Sequence, residues 1–99
     1  MIKIDNNFDE VVKNGVSIVD FYADWCGPCK MFGPVFESTE KKHDNISFCK
    51  INVDNDGEVA QKLGVMSIPT TIMFKDGKEL RRNIGLMNEA ELEAFIGEE

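Results

Sequence analysis

The sequence predicts an α/β fold, a five-stranded mixed sheet flanked by four helices that cover both faces. Three observations lead there. Strand-like and helix-like segments alternate along most of the chain, a pattern that builds parallel neighbours through crossover connections. Two strand-like runs, over 16–23 and 46–53, are apolar almost throughout, as strands covered on both faces are. An Asp76-Gly77 turn joins the last two strands and adds an antiparallel pair.

Residues 2–4 form a short first strand. Asn7-Phe8-Asp9-Glu10 opens a short helix, with Asn7 as its cap, and Asn14-Gly15 stops it. The run over 16–23 is the first long strand. Pro28 suits the first turn of the next helix, where its missing N–H costs little. That helix continues to about Lys42 and is expected to kink at Pro34, since an interior proline removes a backbone bond. The run over 46–53, ISFCKINV, is the second long strand, and 54–57 is a turn. A short helix over 58–63 ends at Gly64. Strands over 71–74 and 79–84 flank the turn Lys75-Asp76-Gly77-Lys78. The closing helix over 88–95 is amphipathic, with Leu92, Phe95 and Ile96 on one face and Glu89, Glu91 and Glu93 mostly elsewhere. The order is therefore βαβαβαββα.

All 99 residues are expected to form one domain. A chain of this size buries an apolar core without metal or disulfide support, since many domains of about 55–65 residues fold alone. Hydrophobic residues make up 42%, charged residues 29%, and the net charge is −7. That acidic balance argues against non-specific binding to nucleic acid or to an anionic membrane, both of which need basic patches. No apolar run approaches the roughly 20 residues of a membrane span. The opening MIKIDNNFDE has no basic region followed by an apolar one, so no signal peptide is visible. A cytoplasmic protein is the expectation.

The three cysteines are too few for a secreted disulfide scaffold and odd in number. Cys26 and Cys29 lie in ADWCGPCK, at a strand-to-helix junction, and two chemistries fit them. One is metal binding: Cys26, Cys29, His43 and Cys49 are spaced C-x2-C-x13-H-x5-C, which resembles small zinc sites. Against it, Cys49 stands inside an apolar strand, His43 sits among charged residues at a helix end, and the chain has a core without metal.

The other is disulfide exchange. Residues three apart in a first helical turn have side chains about 5–6 Å apart. A disulfide needs Cα atoms roughly 4.4–6.8 Å apart, so this pair opens and closes with little backbone movement. Unpaired N–H groups and the positive dipole end at a helix start stabilise a thiolate, lowering its pKa below the free-cysteine value of about 8.5. Cys26 at the cap is then the nucleophile. Cys29, one turn inward and more shielded, is the resolving thiol. This reading accounts for more of the sequence.

Two further residues fit it. Asp20 interrupts an apolar strand, where burial raises a carboxyl pKa. Alternation places Ile18, Asp20 and Tyr22 on one face, and Phe48, Lys50 and Asn52 on one face of the next long strand. If these strands pair, Asp20 and Lys50 meet under the helix start. Pro69 precedes a strand, and nothing local marks its peptide bond as cis.

WCGPC after VDFYAD, followed in order by KINVD, SIPT, FKDG and Ile84-Gly85, resembles the thioredoxin family over nearly the whole chain. The resemblance implies the thioredoxin fold and a protein-disulfide reductase, an electron carrier without metal or organic cofactor. It implies that Cys26 attacks a target disulfide and that Cys29 then attacks Cys26 to release the reduced target. Asp20, working with Lys50 through water, accepts the proton of Cys29. Pro69 is the family's cis-proline. Trp25, Gly27, Pro28, Ile68, Pro69 and Gly85 form the surface that receives the target, and Gly27 and Pro28 help set a reducing potential. The implied partners are thioredoxin reductase and disulfide-containing proteins, met by a monomer. Tyr22 departs from the tryptophan of many members, Met66 and Ser67 are unusual before Ile68, and Cys49 lies outside the shared pattern and reads as core. Three other functions stand beside this one: a dedicated electron donor to one specific enzyme, a non-catalytic adaptor, and the zinc site.

Overall fold

A computed structural model describes residues 1–99. Its elements are β1 (Ile2–Ile4), α1 (Phe8–Val12), β2 (Val16–Tyr22), α2 (Gly27–Glu40), β3 (Ile46–Asn52), α3 (Gly57–Lys62), β4 (Thr70–Lys75), β5 (Lys78–Ile84) and α4 (Glu89–Ile96). The five strands form one sheet in the order β1-β3-β2-β4-β5. β1, β3 and β2 run parallel, β4 runs antiparallel to β2, and β5 antiparallel to β4. No helix is long and apolar enough to cross a membrane.

Alternation along the central strands sorts the core into two layers. Val19, Phe21, Cys49, Ile51, Ile72 and Phe74 face Val12 of α1 and Ala60 of α3. Ile18, Phe48 and Met73 face Phe32 and Phe36 of α2 and Leu92 and Ile96 of α4. β2 lies between β3 and β4, and its five inner residues, 17–21, are buried.

The local chemistry behaves unevenly. Both turn residues of the β4–β5 hairpin, Asp76 and Gly77, have positive φ, the turn geometry that matches strand twist. Asp76 also accepts a hydrogen bond from the Gly15 N–H, which ties the hairpin to the start of β2. Asn88 caps α4 through a reciprocal pair with Glu91. Asn7 does not cap α1, because its side-chain oxygen accepts from the Asp5 N–H instead. The kink expected at Pro34 does not interrupt α2, which stays helical to Glu40. The Arg81 guanidinium donates to the carbonyls of Phe95 and Ile96, fastening the end of α4 to β5.

Candidate active site

The segment between β2 and α2 carries the sequence-predicted pair. Cys26 is the N-cap of α2, in an extended backbone conformation, and Pro28 lies in the first turn. Cys26 Sγ accepts a hydrogen bond from the Cys29 N–H at 3.2 Å. A helix start therefore points an otherwise unpaired donor at this sulfur. The two cysteines are joined by a disulfide, with Cα atoms 5.2 Å apart. Ala23, Tyr22, Val53 and Ile68 pack around them.

The expectation that Cys29 is the more shielded does not hold in this bridged state. Cys26 is 4% exposed and Cys29 is 5% exposed. Their neighbours distinguish them instead. Cys26 Sγ lies 3.8 Å from the Ile68 carbonyl oxygen, beside the Ile68-Pro69 peptide bond, which is cis. Cys29 lines a cavity of about 410 Å³ on the other side, between α2 and the sheet, together with Asp20 and Lys50.

Asp20 and Lys50 are directly paired positions of the parallel β2–β3 ladder, as alternation predicted. Asp20 is buried, and its Oδ1 makes no hydrogen bond to another protein group. Burial raises its pKa to about 7; attraction from Lys50 works in the opposite direction and is the smaller effect. The Lys50 ammonium reaches over the Tyr22 ring, 5.8 Å from its centroid. A carboxyl that titrates near neutrality, in a cavity shared with a thiol, is equipped to take up a proton.

The target-facing candidates also come together. The Gly85 N–H donates to the Pro69 carbonyl at 2.8 Å, joining the loop before β4 to the end of β5. The Thr70 hydroxyl donates back to the Ser67 carbonyl and holds that loop. Trp25 is 69% exposed, an unusual state for so large a ring, and its Nε1–H donates to Asp54 at 2.9 Å. Gly27 and Pro28 are exposed beside it. Sequence reasoning placed Asp54 in a turn and in the KINVD motif, and assigned no role to its side chain or to those of Ile84 and Leu86. Both are exposed on either side of Gly85, and Met66 is almost fully exposed one loop away. The signal was an apolar residue closing an edge strand that is polar at five of its seven positions, KELRRNI.

The four residues of the zinc spacing are not assembled. His43 follows α2, whose 14 residues span about 21 Å from Cys26, and its Nε2 contacts Glu93 at 2.7 Å. Cys49 faces the layer under α1 and α3, away from the Cys26–Cys29 pair, and burial pushes its thiol pKa up to about 12.

Comparison with known proteins agrees with this geometry. The family model described as Thioredoxin matches residues 1–98. The chain is 42% identical to a thioredoxin of Chlamydia caviae, over 99% of this chain and 98% of that one. It is 43% identical to a thioredoxin of Staphylococcus saprophyticus, over 93% of this chain and 89% of that one. A solved structure of Plasmodium falciparum thioredoxin superposes with a TM-score of 0.91 at 33% identity, covering 97% of this chain and 96% of the other.

Proposed function

The chain belongs to the thioredoxin family and is a thiol–disulfide reductase working through Cys26 and Cys29, and we propose the following division of labour among its residues. The reduced Cys26 thiolate attacks one sulfur of a target disulfide. A mixed disulfide forms, and the other target sulfur leaves as a thiolate that takes up a proton. Cys29 then gives its proton to Asp20 and attacks the Cys26 sulfur. The Cys26–Cys29 disulfide forms, the second target sulfur leaves as a thiolate that takes up a proton in turn, and the target has gained two electrons and two protons.

The observation that carries this reading is the pairing of the Cys26–Cys29 bridge at the α2 start with a buried, near-neutral carboxyl behind Cys29. The helix start favours the thiolate of Cys26. Asp20, titrating at about 7, is present in both protonation states at neutral pH, so it can accept a proton and later return it. Lys50 holds a positive charge on the same cavity and supports the ionised form of Asp20.

Trp25, Gly27, Pro28, Ile68, Pro69 and Gly85 receive the target in this reading, with Gly27 and Pro28 keeping the couple reducing. Exposed Trp25 and the Pro69–Gly85 junction beside Cys26 support it. Disulfide-bearing proteins and a thioredoxin reductase are the partner types that family membership implies. We place the protein in the cytoplasm as a monomeric, one-domain carrier without metal or organic cofactor, because a free buried Cys49 and an exchangeable pair suit a reducing compartment.

The test is a redox equilibrium titration against defined dithiothreitol ratios, read by mass spectrometry with peptide mapping. The expected result is a reversible loss of two hydrogens mapping to Cys26 and Cys29, with a strongly reducing midpoint. A much more oxidising midpoint would reassign the protein to disulfide formation or isomerisation.

A further inference from the structure

A polar row crosses the sheet beneath the start of α2. Lys50 of β3 is paired with Asp20 of β2, Asp20 with Thr71 of β4, and Thr71 with Asn83 of β5. Directly opposed residues of an antiparallel pair share a face and stand about 4.5–5.5 Å apart at Cα. Thr71 therefore presents its side chain on the face that carries Asp20. Two members of the row have other commitments: Lys50 reaches over Tyr22, and the Asn83 amide donates to the Gly85 carbonyl. The two in the middle have none. Thr71 is fully buried and its hydroxyl makes no hydrogen bond to another protein group, and the same holds for Asp20 Oδ1. A buried hydroxyl without a partner is unfavourable, and valine would fill the same space without that cost.

We propose that Thr71 is a positioning residue for Asp20: its hydroxyl turns to donate to Oδ1 as the carboxylate forms, and so sets the pH at which Asp20 ionises. A hydroxyl suits this role because its hydrogen rotates, so it accepts from the protonated carboxyl and donates to the ionised one. The charge-assisted bond is the stronger of the two, and it favours ionisation. The other groups around Asp20 are Lys50 from β3, Tyr22 and Asp24 from β2 and its loop, Cys29, Lys30 and Glu37 from α2, and the Met1 ammonium paired with Glu40. β4 brings no charged group to this end of the sheet, so Thr71 is its polar contribution there. The consequence for catalysis rests on the reading of Asp20 as the proton acceptor of Cys29.

The experiment follows the Asp20 carboxyl by carbon-13 NMR across pH in the reduced protein, in wild type, Thr71→Val and Thr71→Ser. Thr71→Val is expected to raise the Asp20 midpoint by about one pH unit. Thr71→Ser keeps the hydroxyl and is expected to leave the midpoint within a few tenths of a unit. Thr71→Ala, a second variant without the hydroxyl, is expected to move it in the same direction as valine. An unmoved midpoint in folded Thr71→Val or Thr71→Ala overturns the proposal, as does an equal shift in Thr71→Ser. A parallel pH profile of mixed-disulfide release separates this inference from the one beneath it. If the NMR midpoint moves and the release profile does not, Thr71 tunes Asp20 and it is the proton-acceptor role of Asp20 that fails.

Discussion

Replacing Cys29 with serine turns the protein from a catalyst into a trap. Cys26 still sits at the α2 cap with the Cys29-position N–H directed at its sulfur, so it still attacks a target disulfide. Release needs a second sulfur at that position, and a serine hydroxyl does not break a disulfide under these conditions. Mixed disulfides therefore accumulate and run as higher-mass bands on gels without reductant, collapsing when dithiothreitol is added. Cys26→Ser gives the opposite result: turnover falls to background and no adduct forms. If Cys29→Ser forms no adduct while Cys26→Ser does, the two roles are reversed.

Asp20→Asn is expected to stabilise the fold while slowing the chemistry. Asp20 has its pKa raised from 3.8 to about 7 in the folded protein, mainly because burial penalises the charge. Below pH 3.8 the carboxyl is protonated in both the folded and unfolded chains, and it costs nothing. Between 3.8 and about 7 the folded state binds more protons, so stability falls as pH rises. Above about 7 the loss is complete; a shift of about three units corresponds to roughly 4 kcal/mol. Asparagine carries no such penalty. Thermal unfolding should show little difference near pH 4 and a rise in Tm on the order of 10 °C or more at pH 8. The same change should slow mixed-disulfide release at neutral pH more than at high pH, where Cys29 ionises unaided. An equal Tm shift at both pH values would mean that burial of charge is not what Asp20 costs.

The order of elements was legible because it rests on local signals: two apolar runs, the Asp76-Gly77 turn, and glycines after short helices. The pairing of Asp20 with Lys50 was legible in part, since alternation fixes which residues of each strand share a face and the parallel register then sets these two side by side. Competition between local partners, and signals that depend on a partner far along the chain, were not. Asn7 and Asn88 each have a glutamate three residues on, Glu10 and Glu91, but only the Asn88–Glu91 pair reciprocates, because the Asn7 side chain bonds back to Asp5. The cis bond before Pro69 was reached only through family resemblance, because nothing nearby marks it. The Trp25–Asp54 bond joins two loops that follow neighbouring strands, and the placing of Thr71 opposite Asp20 needs the antiparallel register of β4. Equal exposure of Cys26 and Cys29 was missed because Ile68, distant in sequence, covers the pair.

Cys49 gives the chain a built-in clock. Its thiol is fully buried in the layer under α1 and α3, and with its pKa near 12 almost none of it is thiolate at neutral pH. An alkylating reagent applied to the native reduced protein therefore leaves Cys49 unlabelled. A label appears on Cys49 only when the sheet opens beneath those helices, so where reclosing outpaces labelling its rate, relative to that of an exposed thiol, measures the free energy of that opening without any unfolding agent.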